Sequence, residues 1–421
     1  MLIDGAYGGQ TQGTGITTYA RTLAAGLVEL GHQIAWLLGA DAPVRGDSLI
    51  DAVDSFDAPA PVRGIREKAQ TAGRMLGGLA TSGITARRIN QETVIAPPNA
   101  PKLADAYLAP NLYVHAHYRH MLLRQFTEVR LPDPADVLHL TAPLPIRMRG
   151  VRTVTTIHDL VPIRLPYTTP DNKSEFVARV RTCARLSDRI ITVSEASKKD
   201  IVDLLGVDPA RISVTYQPVD VRPIDPSEAD SIPRTLSRYG LEPGGFVLFV
   251  GAIEPKKNLR RLIEAFVEVD SPTPLAIVGR KAWMWEQEIG DLDAVFGEKA
   301  RKRLRFLGHA KQEDLRRLYA GAMMLVFPSL YEGFGLPPLE AMTMGCPVIT
   351  SNIASLPEVC GDAALYVDPA DRDSIRIAID RLMSDSALRN SLAQAGRAQA
   401  QRFSFQKYLE RLKAAYAELE T

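Results

Sequence analysis

A chain of 421 residues is longer than one hydrophobic core usually serves, so two domains of roughly 200 residues each are expected. Its 50 basic and 49 acidic side chains leave a formal charge of +1, which excludes the broad basic field that gathers nucleic acid, so any anion must be met locally. Three cysteines without CxxC spacing, Cys183, Cys346 and Cys360, exclude a secreted disulfide framework; with no apolar leader and no run of about 18 apolar residues, a cytoplasmic protein is expected, open to peripheral contact at the inner face of a membrane.

A short opening strand precedes Gln12-Gly13-Thr14-Gly15-Ile16 and a helical run from Ile16 to Leu30 that Gly31 closes. Glycines at such a turn let main chain approach a phosphate or sugar, and the helix N-terminus adds partial positive charge. Thr18 stands where a full GxGxxG would need glycine, so the dinucleotide fingerprint fails, and a purely structural turn is an equal reading. From Val62 to Gln91, Arg63, Arg66, Lys68, Arg74, Arg87 and Arg88 alternate with Ile65, Met75, Leu76, Leu79 and Ile84. Such a helix either lies on anionic lipid or packs with its charges in solvent, and Gly73, Gly77 and Gly78 weaken it. His115, His117 and His120 lack the nearby cysteine or carboxylate that a zinc site needs, so no metal is expected there.

The runs Asp136 to Leu140, Thr153 to Ile157 and Arg189 to Val193 read as buried parallel strands. His158-Asp159 ends the second of them, at the edge where α/β sheets hold ligands. Tyr216 to Gly245, interrupted by five prolines, reads as the interdomain linker. Beyond it come strands at Phe246 to Val250, Leu275 to Val278, Leu304 to Leu307, Met324 to Phe327, Pro347 to Thr350 and Ala364 to Val367, alternating with helices as in a doubly wound sheet.

Two strand-to-helix loops of this half carry chemistry. Gly251-Ala-Ile-Glu-Pro-Lys-Lys-Asn258 sets two lysines at a strand's carboxyl end, with Asn258 as the expected N-cap of the next helix. Tyr331-Glu332-Gly-Phe-Gly-Leu-Pro-Pro-Leu-Glu340 places Glu332 in the loop before a Gly-rich helix entry and Glu340 about 6 Å along the helix, which suits a polyol held near a pyrophosphate. The DxD of Asp291 and Asp293 lies away from any strand end and reads as a solvated face. Finally, Phe405, Tyr408, Leu409, Leu412, Ala415 and Leu419 form one apolar face of a terminal helix that needs a surface to cover.

Together these residues resemble glycosyltransferase family 4. The Glu332-to-Glu340 motif, the Gly13-Thr-Gly15 loop, Thr-Ile-His158-Asp, Val193-Ser-Glu-Ala-Ser197, Phe306-Leu-Gly308-His309 and Lys257 carry the resemblance. It implies an α/β, GT-B fold: a Rossmann-like acceptor-side domain over 1–218, a facing Rossmann-like nucleotide-sugar domain over 219–402, and a helix over 403–421 crossing back to the first. It further implies a retaining transferase, with His158, Lys257 and Glu332 as catalytic residues. Gly13, Gly15, Lys257, Gly308, Glu332, Gly333, Phe334, Gly335, Leu336 and Glu340 would meet the donor, Glu332 at the sugar and Glu340 at the ribose. Where many members carry arginine this chain has Ala252, which leaves the source of a second diphosphate cation open.

On this reading the enzyme moves a hexose, with mannose favoured by the Glu-Pro-Lys-Lys-Asn stretch, from a GDP- or UDP-linked donor to a glycan or lipid-linked acceptor. No cofactor and no metal is implied, since Lys257 and the amides around Gly333 would stabilise the leaving diphosphate. A sugar-nucleotide epimerase on the same fold and a catalytically silent sugar-nucleotide binder are the rival readings.

Overall fold

A computed structural model describes residues 1–6, 15–40, 65–89, 105–219, 221–290, 297 and 301–419, with residues 40 and 65–71 described by their main chain alone. Gly13, Asp291 and Asp293 lie outside the described residues.

In the second half, the run Val247-Leu-Phe-Val250 is apolar at every position because helices cover both faces of its sheet: Val247, Leu248 and Phe249 are fully buried. From edge to edge the strands are Leu304–Gly308, Leu275–Val278, Val247–Val250, Met324–Phe327, Val348–Ser351 and Ala364–Val367, all parallel. Chain order reverses between Val247–Val250 and Met324–Phe327, which opens a crevice at the carboxyl ends of these two strands. Each of the two lysine- and glutamate-bearing loops follows one of them.

The first half forms an eight-stranded sheet in the order Ile212–Val214, Arg189–Thr192, Arg152–Thr156, Val137–Leu140, Leu2–Asp4, Ala35–Ala40, Asp105–Pro110 and Arg87–Arg88, of which only Arg87–Arg88 runs antiparallel to its neighbour. Here the reversal falls between Val137–Leu140 and Leu2–Asp4. Gly83–Thr85, Thr127–Arg130 and Ile146–Arg147 make a small parallel sheet beside it. The strands expected from the sequence are present in both halves, with bounds that differ by a residue or two.

Helix Phe405–Ala417 leaves the second half and packs on helix Gly15–Glu29 of the first; a Cβ at Gly26 would stand 3.1 Å from both Leu412 and Tyr408, so glycine permits the approach. The expected apolar face holds at Tyr408, Leu409, Leu412 and Ala415, but Phe405 is half-exposed and Tyr416 is buried in its stead. The Tyr416 hydroxyl pairs with His139 Nδ1, whose Nε2 lies 2.8 Å from Thr156 Oγ1. Tyr216 and Phe403, on the two crossings between halves, stack edge-on at 5.4 Å, and Val219 N–H donates to Phe403 O at 2.9 Å.

Three local expectations are corrected. Asn258 precedes helix Leu259–Val267 in a left-handed conformation with φ 60° and gives it no side-chain cap; its amide instead donates to the carbonyls of Pro328 and Pro369. The Tyr216 to Gly245 segment contains helix Ser231–Arg238, since Pro218, Pro223 and Pro226 sit before the helix, Pro233 in its first turn, where no N–H is required, and Pro243 beyond its end. Among the described residues of the basic stretch the helix is Ile65–Ala80, and Arg87 and Arg88 lie in the edge strand. Its glycines do not break that helix. A Cβ at Gly77 would come within 2.5 Å of His115 Nε2 and one at Gly78 within 2.8 Å of Tyr118 Cβ, so they set the close approach of helix Leu112–Leu123. Among the described residues no helix is long and apolar enough to cross a membrane.

Candidate functional site

The carboxyl ends of the two sheets face each other across a cleft of about 550 Å³. On the second half, loop Gly251 to Asn258 turns through Pro255–Lys257 as one 3-10 turn, which brings both lysine side chains to the same carboxylate. Lys257 Nζ is 2.5 Å from Glu332 Oε1, and Lys256 Nζ is 3.6 Å from Glu332 Oε2 and 3.9 Å from Glu254 Oε1. Burial works to raise the Glu332 carboxyl, but the charges of Lys256 and Lys257 outweigh it and hold the group below its ordinary value. For Lys256 burial works against the charged form, and Glu332, Asp159 and Glu254 together reverse it, so the ammonium is held well above the usual lysine range.

Lys256 is the residue the sequence reading left without a role. Its neighbour Lys257 carries the family resemblance, and only the fold shows that Lys256 points into the same cleft, where Asp159 of the first half faces it. The signal was present in the doubled lysine itself, combined with the missing arginine at Ala252.

Helix Leu336–Met344 begins at Gly335, whose φ of +124° disfavours a side chain and whose Cβ would meet Leu356 at 2.9 Å. Pro337 lies in the first turn, and Gly345 ends the helix with φ 74°. Gly333 is held against the first half: a Cβ there would stand 2.8 Å from His158 O and 2.9 Å from Asp159 Cβ. Ser197 Oγ donates to His158 O at 2.8 Å and reaches Gly333 O at 3.3 Å, so one hydroxyl bridges the halves. Phe334 is buried between Tyr216 and Phe403, at ring distances of 6.1 and 5.6 Å, which gives its side chain a packing role at the domain junction.

On the first half, His158 lines the cleft, and its Nε2–H donates to Thr141 O at 2.9 Å. Burial depresses its pKa, against the Thr141 carbonyl and the Asp159 charge, and so favours the neutral imidazole with Nδ1 as acceptor. Tyr19 packs edge-on against the ring at 4.6 Å. Gly15, the first residue of its helix, also lines the cleft.

Glu340 does not share this cleft. It lines an adjoining cavity of about 210 Å³ that has Gln217 and Leu336 in common with the larger one, and Tyr319 OH donates to its Oε2 at 2.9 Å. Burial raises the Glu340 carboxyl, offset in part by that hydrogen bond. Gly308 lines neither cavity: it ends strand Leu304–Gly308 at φ 68°, and its carbonyl accepts from Gly279 N–H at 2.8 Å. The structure thus brings together Gly15, His158, Lys257, Glu332, Gly333, Phe334, Gly335 and Leu336, sets Glu340 next door, and leaves Gly308 apart. His115, His117 and His120 do not converge, and among the described residues no group of three or more metal-ligating side chains does. His120 instead faces Glu175 at 3.6 Å.

Comparison with known proteins gives the family and the fold. The model of Glycosyltransferase Family 4 matches residues 13–222 and that of glycosyl transferases group 1 matches residues 238–399. The chain is similar to O-antigen chain mannosyltransferase B of Escherichia coli, 36% identical over 273 residues that span 62% of this chain and 69% of that protein. It is 32% identical over 262 residues to the serotype-specific mannosyltransferase WbdA of Escherichia coli; that match spans 60% of this chain and only 32% of the relative's length. Among solved structures, sucrose-phosphate synthase from Thermosynechococcus elongatus shares the fold with a TM-score of 0.65 at 18% identity, over 100% of this chain and 98% of that one. Its architecture is therefore GT-B, and by the mannosyltransferase match together with the two family models the chain belongs to glycosyltransferase family 4.

Proposed function

We propose that this glycosyltransferase moves mannose from a nucleoside-diphosphate donor, GDP- or UDP-linked, onto a glycan or lipid-linked acceptor, with retention at the anomeric carbon and without a divalent ion. The observation that carries the reading is the pair of ammonium groups, Lys256 and Lys257, gathered on Glu332 beside the amides of a glycine-rich helix entry. Breaking the bond from sugar to diphosphate builds negative charge on the leaving group. Two cations and fixed amide dipoles at the mouth of Leu336–Met344 are suited to receive it, the work a magnesium ion does elsewhere.

In the free protein Glu332 pairs with both lysines, and Asp159 and Glu254 share the charge of Lys256. A bound diphosphate competes for the lysines, which frees the Glu332 carboxylate to accept hydrogen bonds from hydroxyls of the transferred sugar and orient it. His158, neutral and fixed by Thr141, faces the sugar from the other half. Lys256 supplies the second cation that Ala252 does not, and Glu340 holds the ribose in the adjoining cavity. The acceptor hydroxyl attacks on the face the nucleotide leaves and passes its proton to a diphosphate oxygen. Mannose is favoured because two relatives of this chain are named mannosyltransferases. We place the work at the inner face of a membrane, as a peripheral protein acting on polysaccharide precursors.

The test is a panel of nucleotide sugars with a mannose-terminated synthetic acceptor in excess EDTA, the product anomer being read by NMR. Transfer of mannose with retained configuration supports the proposal. Strict dependence on added Mg²⁺, or an inverted product, overturns it.

A further inference from the structure

A second cavity, of about 380 Å³, lies in the first half, away from the residues assigned to donor and sugar. Six arginines line it: Arg119, Arg124, Arg130, Arg147, Arg149 and Arg185. They come from four places in the chain, namely the end of helix Leu112–Leu123, strand Thr127–Arg130, strand Ile146–Arg147 with the turn after it, and the last turn of helix Lys173–Leu186. One carboxylate, Glu128, shares the lining, and it is committed to Arg149 at 2.6 Å and Arg130 at 3.2 Å. Arg124, Arg147 and Arg185 face no carboxylate among the described residues, and all three are exposed. Arg119 is 9% exposed; its terminal nitrogens reach Leu79 O and Gln125, while its buried Nε has no hydrogen-bond partner. Six guanidinium groups repel one another, and an anion bound among them removes that cost.

Exposed leucines stand next to residues that line this cavity. Leu186 lines it, Leu122 and Leu123 precede Arg124, and Leu79 supplies the carbonyl that Arg119 holds, with Leu76 one turn earlier on the same helix. These five leucines are 40% to 65% exposed and make up most of the large apolar side chains left in solvent among the described residues. Exposed leucines around an arginine-lined hollow match the two layers of a bilayer surface, phosphate headgroups and the acyl boundary beneath them.

We infer that this cavity seats the phosphate of an anionic lipid headgroup, while the exposed leucines enter the interface. The inference rests on the reading that the enzyme works at a membrane surface, and it moves the contact from the basic helix Ile65–Ala80 alone to a cavity built by four other elements. It also relates that surface to the reaction. Helix Lys173–Leu186 lines the cleft at Arg179 and the arginine cavity at Arg185, six residues or about 9 Å further along its axis. A lipid-anchored acceptor can then reach the cleft from the same bilayer surface.

The test is co-sedimentation of the full chain with vesicles of phosphatidylcholine alone and of phosphatidylcholine mixed with phosphatidylglycerol, at several salt concentrations. The parent should bind the anionic vesicles, and the exposed double variant Arg147→Gln/Arg185→Gln should bind them at least about tenfold more weakly, with a shallower salt dependence, while unfolding at the same temperature and transferring sugar to a soluble acceptor at the parent rate. Leu122→Ser/Leu123→Ser should weaken binding and keep its dependence on lipid charge. Equal vesicle affinity in the parent and the arginine variant overturns the cavity assignment and leaves the membrane reading intact. A parent that ignores both vesicles overturns both. If such a parent is nonetheless stabilised by inorganic phosphate in a thermal-shift assay and the arginine variant is not, the cavity belongs to a soluble phosphate and the lipid inference falls.

Discussion

The two halves share an architecture and place their chemistry differently. In the second, the lysines and Glu332 come from two short loops that follow the strands flanking the topological switch, Val247–Val250 and Met324–Phe327, and Glu340 from the helix that the second loop enters. In the first, Gly15, His158 and Arg179 come from three separate elements, and the sheet is covered in part by a helix that belongs to the end of the chain. A loop that returns at once to a helix keeps its functional groups within a few residues. The first half is assembled from many elements, and one of its buried polar groups, His139, is paired by Tyr416 from more than a hundred residues away.

If the contrast holds, the greatest losses of rate come from the compact loops. Lys257→Ala should cost transition-state stabilisation of about 2.7 to 4 kcal/mol, seen as a fall in kcat larger than any rise in KM, and Lys256→Ala should follow it closely. Steady-state kinetics with and without Mg²⁺ checks this; rescue by the ion would mean that the lysines are not what stabilises the leaving group.

A large effect of another kind is expected in the first half. Asp4 is fully buried, and burial lifts its pKa to about 6 against hydrogen bonds from the Thr141 and Ala6 amides. Because the folded value lies above the ordinary 3.8, the native state binds the proton more tightly. The cost of burying the charge is absent below pH 3.8, grows between there and pH 6, and is complete above it, where it amounts to about 3 kcal/mol. Asp4→Asn should therefore raise stability at pH 7.5 and leave it unchanged at pH 3.5. Denaturant titration at both pH values decides the matter, and equal effects would show that Asp4 is not the titrating group.

Glu340→Gln and Glu332→Gln sharpen the comparison within the second half, since the two carboxylates line different cavities. Glu340→Gln should weaken donor and free nucleotide alike, by about 1 to 3 kcal/mol, whereas Glu332→Gln should lower turnover and spare nucleotide affinity. Calorimetric titration with the free nucleotide distinguishes them, and equal losses would merge the two cavities into one site.

The smallest effect is Tyr416→Phe. It removes the partner of His139 Nδ1 between the terminal helix and the first sheet and should cost about 1 kcal/mol of stability without changing donor affinity. A changed donor affinity would show that this helix reaches the site and does not only cover the sheet.

Strand positions and the two chemical loops were legible in the sequence because buried parallel strands need unbroken apolar runs, and loops at their carboxyl ends need glycines and caps at set spacings. The lysine pair and Glu332 were located in this way, and the family resemblance singled out Lys257 of the pair. Lys256 was seen but given no role, because sequence spacing does not tell which of two adjacent lysines turns inward when both pass through one 3-10 turn. Gly77 and Gly78 were read only as weakening their helix, because nothing local announces the neighbouring helix that needs the space.

The sequence by itself determined the α/β class and the strand-to-helix loops, because backbone hydrogen bonding and side-chain periodicity act over a few residues, and the family through the motifs that resemble it. Only the tertiary structure decided that Lys256 joins Lys257 on Glu332, that Glu340 lies in a cavity of its own, that Phe334 packs at the domain junction, and that six arginines from four elements surround one hollow. Those are contacts between segments distant along the chain. They are set by how sheets and helices close on one another, and no local pattern in the residues carries that information.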